Sequence, residues 1–140
     1  VRLLSDDHLG ALTIFGEASG EPFKGKVAIG ITIRNRMRHG YASDGTVAGT
    51  VLRAHQYSMW RYPRPWILLA DDEHESVREC VQAWEESEGS DLLPSDVVLY
   101  HTKATPKGVK TWPPAWADKV KFVRQIGRHL FYADPVIYKG

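Results

Sequence analysis

The stretch Leu12-Thr13-Ile14-Phe15-Gly16-Glu17-Ala18-Ser19-Gly20-Glu21-Pro22-Phe23 decides how the rest of the chain is read. Leu9, Leu12, Phe15 and Gly16 recur at helical spacing, with Ile14 alongside, and Gly20 and Pro22 end the run. One acid, Glu17, stands among small and apolar neighbours. Burial of a carboxyl there disfavours its charged form and raises its pKa. A raised pKa suits a general acid working near neutral pH. The competing reading is a surface acid at a helix end. Upstream, Ser5 is placed to cap the helix, and Asp6 and Asp7 favour its positive end.

Outward from this stretch, Lys24 to Arg38 fits two patterns. Val27, Ile29, Ile31 and Ile33 alternate as in a strand, whereas Val27, Ala28, Ile31 and Asn35 share one helical face. Thr46 can cap a short helix carrying Val47, Val51 and Leu52. An irregular stretch from His55 to Trp66 interleaves Tyr57, Trp60, Tyr62 and Trp66 with Pro63 and Pro65. Asp72 and Glu75 have capping-box spacing, and Val77, Cys80, Val81 and Trp84 form the buried stripe of the helix that follows. Glu85, Glu86 and Glu88 read as its solvated end.

Val97 to His101, Lys119 to Val123 and Arg128 to Tyr132 are three short strand candidates. Val120 and Phe122 are expected on one side, and Gly127 suits a turn. Helices followed by a small antiparallel sheet make the fold class α+β. A length of 140 residues fits one domain over 1–140 with a core that needs no staple.

The net charge of +1 gives no electrostatic reason to expect nucleic acid or an acidic membrane as partner. One cysteine excludes an internal disulfide framework. No apolar run reaches membrane-spanning length, and the start shows no signal-peptide pattern. The six histidines raise the possibility of a zinc hydrolase, yet neither H-E-x-x-H nor C-x-x-C is present, so no metal or cofactor is expected.

Gly16-Glu17-Ala18-Ser19-Gly20-Glu21 resembles the G-E-A-x-G-E signature of the SleB/CwlJ-type cell-wall hydrolases, which include spore cortex-lytic enzymes and similar domains of phage lysis proteins. Val27 to Arg36 is similar to the family's A-V-x-x-V-x-x-N-R helix, which decides for helix there. Val51-Leu52 with Gln56-Tyr57-Ser58 resembles its V-I…Q-F-S element, with Tyr in place of Phe. Leu99-Tyr100-His101, Pro114 to Ala117 and Ile126 to Tyr132 resemble the closing blocks, so the likeness runs from residue 9 to 132.

The resemblance implies a fold of the lysozyme and lytic transglycosylase group, with a cleft between a helical lobe and a smaller sheet. It implies that Glu17 is the catalytic acid of a peptidoglycan glycosidase cleaving the MurNAc-GlcNAc β-1,4 bond. A single acid suffices for a lytic transglycosylase, in which the substrate's own C6 hydroxyl attacks and a 1,6-anhydro end results. A hydrolytic muramidase needs a second carboxylate. Glu21, roughly 6 Å further on if helical, is the candidate, and a salt-bridged loop anchor is the preferred alternative. A zinc amidase and a non-catalytic wall-binding module are further alternatives.

Candidate cleft residues are Gln56, Tyr57, Ser58, Tyr100, His101, Glu21, Asn35, Trp112 and Trp116. Each has a structural alternative: loop anchoring for Gln56, Tyr57 and Ser58, local backbone bonding for Asn35, and packing for His101 and the tryptophans. Cys80, Trp84 and His129 read as structural. The expected partner is the glycan strand of the bacterial wall, met by a monomer in the periplasm, in the spore cortex or as a phage lysin.

Overall fold

The computed structural model describes residues 5–53, 56–61 and 75–139, without the side chains of Ser58, Arg61, Tyr138 and Lys139. The expected capping role of Asp72 and the aromatic residues Tyr62 and Trp66 lie outside them. Helix α1, Asp6–Ala18, starts as the sequence directs: the Ser5 side chain accepts from the His8 amide at 3.2 Å, with Asp6 and Asp7 in the first turn.

The ambiguous segment is helix α2, Phe23–His39. Every residue from Gly25 to Ile33 is buried, so no single stripe faces a core. A helix surrounded on all sides loses the 3.6-residue signal, and its β-branched run then mimics a strand. Gly40, at φ 63°, closes it in a left-handed cap. A short helix α3, Ala48–Val51, follows, its Gly49 amide bonded to the Thr46 hydroxyl at 2.9 Å. A 3₁₀ turn spans Ser58–Arg61.

Helix α4, Glu75–Ser87, buries Val77, Cys80, Ala83 and Trp84 against α1 and α2. Trp84 is the largest fully buried side chain. Its indole nitrogen donates to Asp7 at 3.0 Å, and the Arg34 guanidinium lies 3.8 Å from its ring centre. A Cβ on Gly10 would come within 2.7 Å of three Trp84 ring carbons, so glycine is what lets α1 approach α4 so closely.

The sheet consists of β1 (Val97–Thr102), β2 (Lys121–Ile126) and β3 (His129–Ala133) in the order β1-β3-β2, all antiparallel. Gly127, at φ 57°, and Arg128 make the two-residue turn between β2 and β3. The expectation for the second strand needs correcting. Val120 lies before it in a 3₁₀ cap, and Phe122 is 51% exposed with only its edge on Tyr132.

The end of α2 ties the helical lobe to the sheet. Asn35 donates to the carbonyls of Pro94 (3.0 Å) and Val97 (2.9 Å), and Arg36 Nε donates to the Val98 carbonyl (2.8 Å). Asn35 therefore does not face the cleft: it is buried and both amide hydrogens hold the chain entering β1.

Candidate active site

Glu17 sits in the last turn of α1, where the helical lobe meets the sheet. It lies where two adjoining hollows, of about 850 Å³ and about 750 Å³, meet; Glu17, Thr102, Pro106 and His129 line both. Together they form one groove between the lobes with a carboxyl near its middle. Burial pushes the Glu17 pKa up to about 7, and the charge of Arg36 opposes that rise. No side chain among the described residues hydrogen-bonds the carboxyl. Desolvation therefore dominates, and the acid keeps its proton well above the ordinary carboxylate range.

Arg36 is the residue that reading the sequence for chemistry missed. It is 5% exposed and lines the groove beside Glu17. Its Nη1 donates to Gln56 Oε1 at 2.6 Å, and its guanidinium stands 5.3 Å from the Tyr57 ring centre. Helix α2 carries five Lys and Arg, of which Lys26 and Arg36 are buried, so charge alone did not single Arg36 out in the sequence. Gln56 reaches the groove as expected, with its carbonyl oxygen taken by Arg36.

Tyr57 lines the same half, held at φ 45°. For a bulky residue that conformation stores strain, which the surrounding packing must hold. Its hydroxyl is buried, with no hydrogen bond meeting ordinary geometry among the described residues. Burial raises the Tyr57 pKa to about 12 and that of Tyr100 well above 10; in both, Glu17 pushes further up and Arg36 pulls down. Both phenols are therefore neutral donors beside the acid. The side chain of Ser58 lies outside the described residues.

The far wall is aromatic. His101 Nδ1 lies 2.8 Å from the Thr102 carbonyl and must donate to it, which leaves Nε2 to accept from the Tyr132 hydroxyl at 2.7 Å. The imidazole also meets Trp112 and Trp116 edge-on, with centroids 5.4 and 5.6 Å away. Trp112 donates its indole hydrogen to the Thr102 carbonyl at 2.9 Å. Both ring nitrogens of His101 are used in holding this wall. The two tryptophans are half-buried and line the groove.

Glu21 is the other acid lining the groove, and it is occupied. Its Oε1 accepts from the Arg128 amide at 2.7 Å and lies 3.1 Å from His129 Nδ1; its Oε2 accepts from Arg128 Nε at 3.0 Å. Burial alone would raise its pKa. The hydrogen bonds from Arg128 and the charges of His129 and Arg128 outweigh that and hold it below the ordinary value. Glu21 thus anchors the β2–β3 turn to the α1–α2 connection.

Cys80 is fully buried in the helical lobe, with burial raising its pKa to about 12. Among the described residues no three His, Cys, Asp or Glu side chains cluster to hold a metal ion; His55 and His74 lie outside them.

A partly dehydrated glutamate thus lies in a groove between a helical lobe and a small antiparallel sheet. Residues 20–132 match the model of the Cell Wall Hydrolase family, and the chain belongs to that family. It is 28% identical over 127 residues to a spore cortex-lytic enzyme of Oceanobacillus iheyensis, an alignment covering 91% of this chain and 41% of that protein. The spore cortex-lytic enzyme of Bacillus subtilis is 26% identical over 127 residues, covering 91% and 37%. The chain thus spans about two-fifths of the length of these curated relatives. Among solved structures, the catalytic domain of the germination-specific lytic transglycosylase SleB from Bacillus anthracis superposes with a TM-score of 0.63 at 23% identity, over 94% of this chain and 96% of that one. The catalytic domain of the Bacillus cereus SleB protein gives 0.57 at 23% identity, over 91% and 88%. The fold is the same.

Proposed function

We propose that this chain is a peptidoglycan lytic transglycosylase acting on the bacterial wall, with Glu17 as its one acid–base group. The observation that carries the reading is the state of the two acids lining the groove. Glu17 is held near neutrality by burial, whereas Glu21 is consumed by Arg128 and His129. A hydrolase needs a second free carboxylate as base or nucleophile; a transglycosylase does not. The similarity to spore cortex-lytic enzymes and to lytic transglycosylase domains supports the substrate class.

In this mechanism protonated Glu17 gives its proton to the glycosidic oxygen as the bond to MurNAc C1 breaks. The resulting Glu17 carboxylate takes the proton of the MurNAc C6 hydroxyl as that oxygen bonds to C1. Arg36 limits how far the pKa climbs, so the carboxylate formed in the first half is not prohibitively costly. Trp112 and Trp116 supply flat faces for the sugars, and Tyr100 and the Gln56 amide nitrogen supply polar contacts.

Mass spectrometry of digested glycan tests the reading. Ends of 1,6-anhydro-MurNAc are expected; reducing MurNAc ends would make the protein a muramidase, and free stem peptides an amidase. Glu17→Gln is expected to lower release by at least about a hundredfold. Wild-type rates in that variant would remove Glu17 from the mechanism.

A further inference from the structure

The two halves of the groove differ in chemistry. One half carries Tyr57, Trp112 and Trp116, and its one cation, Arg36, is already bonded to Val98 and Gln56. The other carries Lys103, Gln125 and Arg128 with the small residues Ser19 and Gly20. Lys103 and Arg128 are side by side, because β1 and β3 pair Thr102 with His129 and the Lys103 amide then donates to the Arg128 carbonyl at 2.8 Å. Both side chains are exposed. The Glu21 carboxylate nearby is paired with Arg128 Nε at 3.0 Å. Lys103 makes no ion pair among the described residues, so its charge is open to a ligand.

The surroundings strengthen this end. Residues 97–133 contain seven Lys and Arg and one acid, Asp118, and all seven basic side chains are exposed. Residues 75–91 contain six acids and one Arg. The net charge of +1 therefore hides a basic sheet lobe and an acidic helix α4.

We infer that Lys103 and Arg128 form a subsite for a carboxylate carried by the muramyl unit, while the aromatic half takes uncharged sugar faces. The inference rests on the proposed glycan substrate and adds an orientation: the strand lies with an acid-bearing substituent on the Lys103 side of Glu17. That carboxylate is either the free lactyl acid or one on a stem peptide.

The test uses three soluble strands: peptide-bearing glycan, the same glycan stripped of peptide by an amidase so that the lactyl acid is free, and glycan whose carboxyls have been converted to amides. Cleavage and binding are both measured, for the wild type, Lys103→Gln and Lys103→Arg. The wild type is expected to favour an acidic strand over the amidated one by about fivefold, the scale of an exposed ion pair. Lys103→Gln is expected to lose that preference, Lys103→Arg to keep it, and added salt to erase it. Preference for the peptide-bearing strand assigns the stem carboxylate, and preference for the stripped strand the lactyl one. Equal loss on all three strands in Lys103→Gln, or no loss on any, overturns the subsite and leaves the proposed cleavage standing. If nothing is cleaved, the proposed function fails, and the binding comparison alone decides the subsite.

Discussion

Glu17 and Arg36 define a titration that can be read in kinetics. The acid form of Glu17 delivers the proton, so kcat/KM is expected to fall as pH rises through about 7. Arg36 lowers the Glu17 pKa, so replacing it with Met should move that limb to higher pH, whereas Lys should largely hold it. Arg36→Met also leaves Val98 O and Gln56 Oε1 without their donor, at about 1–3 kcal/mol per buried orphan. A pH–rate profile of the three proteins separates charge from packing. An unmoved limb in Arg36→Met would break the link.

The same carboxyl carries a stability cost. A raised folded-state pKa means that its favourable contribution is complete below the ordinary value of 4.5 and is lost as pH rises through about 7. Above that, a buried carboxylate remains. Glu17→Gln should therefore be more stable than the wild type at pH 8, by at most about 3 kcal/mol, with the gap closing towards pH 5. Thermal melts at the two pH values check this; equal melts at pH 8 would mean that the side chain is well solvated.

Among the elements, the β2–β3 turn depends on Glu21. A Cβ on Gly127 would come 2.8 Å from Glu21 Oε1, which shows how closely the turn is pressed on the acid. Glu21 has a lowered folded-state pKa, so its stabilisation is present above 4.5 and is lost as pH falls through the lower folded value. Glu21→Gln is expected to cost about 1–3 kcal/mol at pH 7 and much less at pH 3. Urea midpoints at both pH values read the difference, and a constant difference would make the effect one of shape rather than charge.

How far these elements were legible varies with what holds them. Helix α1 announced itself through Ser5, Asp6, Asp7 and the Gly20–Pro22 stop, all local signals. Helix α4 did so through a one-sided stripe ending in Trp84. Helix α2 had no stripe to show, and only the likeness of its sequence to a known helix settled it. In the site, Glu17 was legible because an acid in an apolar run is conspicuous. Asn35 was misplaced because which neighbour its amide would find depends on where β1 enters, a tertiary fact.

At the scale of the molecule, the charges of the chain cancel in sum but not in space. Composition alone reports the sum, and so could not reveal a groove with one basic end. The described residues include no helix long and apolar enough to cross a membrane.

Helix α2 is enclosed from Gly25 to Ile33 and, three residues on, presents Arg36 beside the acid. The amides of Ile31 and Ile33 should then exchange with deuterium only when the whole domain opens, at the slowest rate in the protein. Exchange at Ile31 and Ile33 through a smaller opening would show otherwise. With such a spine, heat should leave few molecules that are folded yet inactive: catalysis and structure should disappear together.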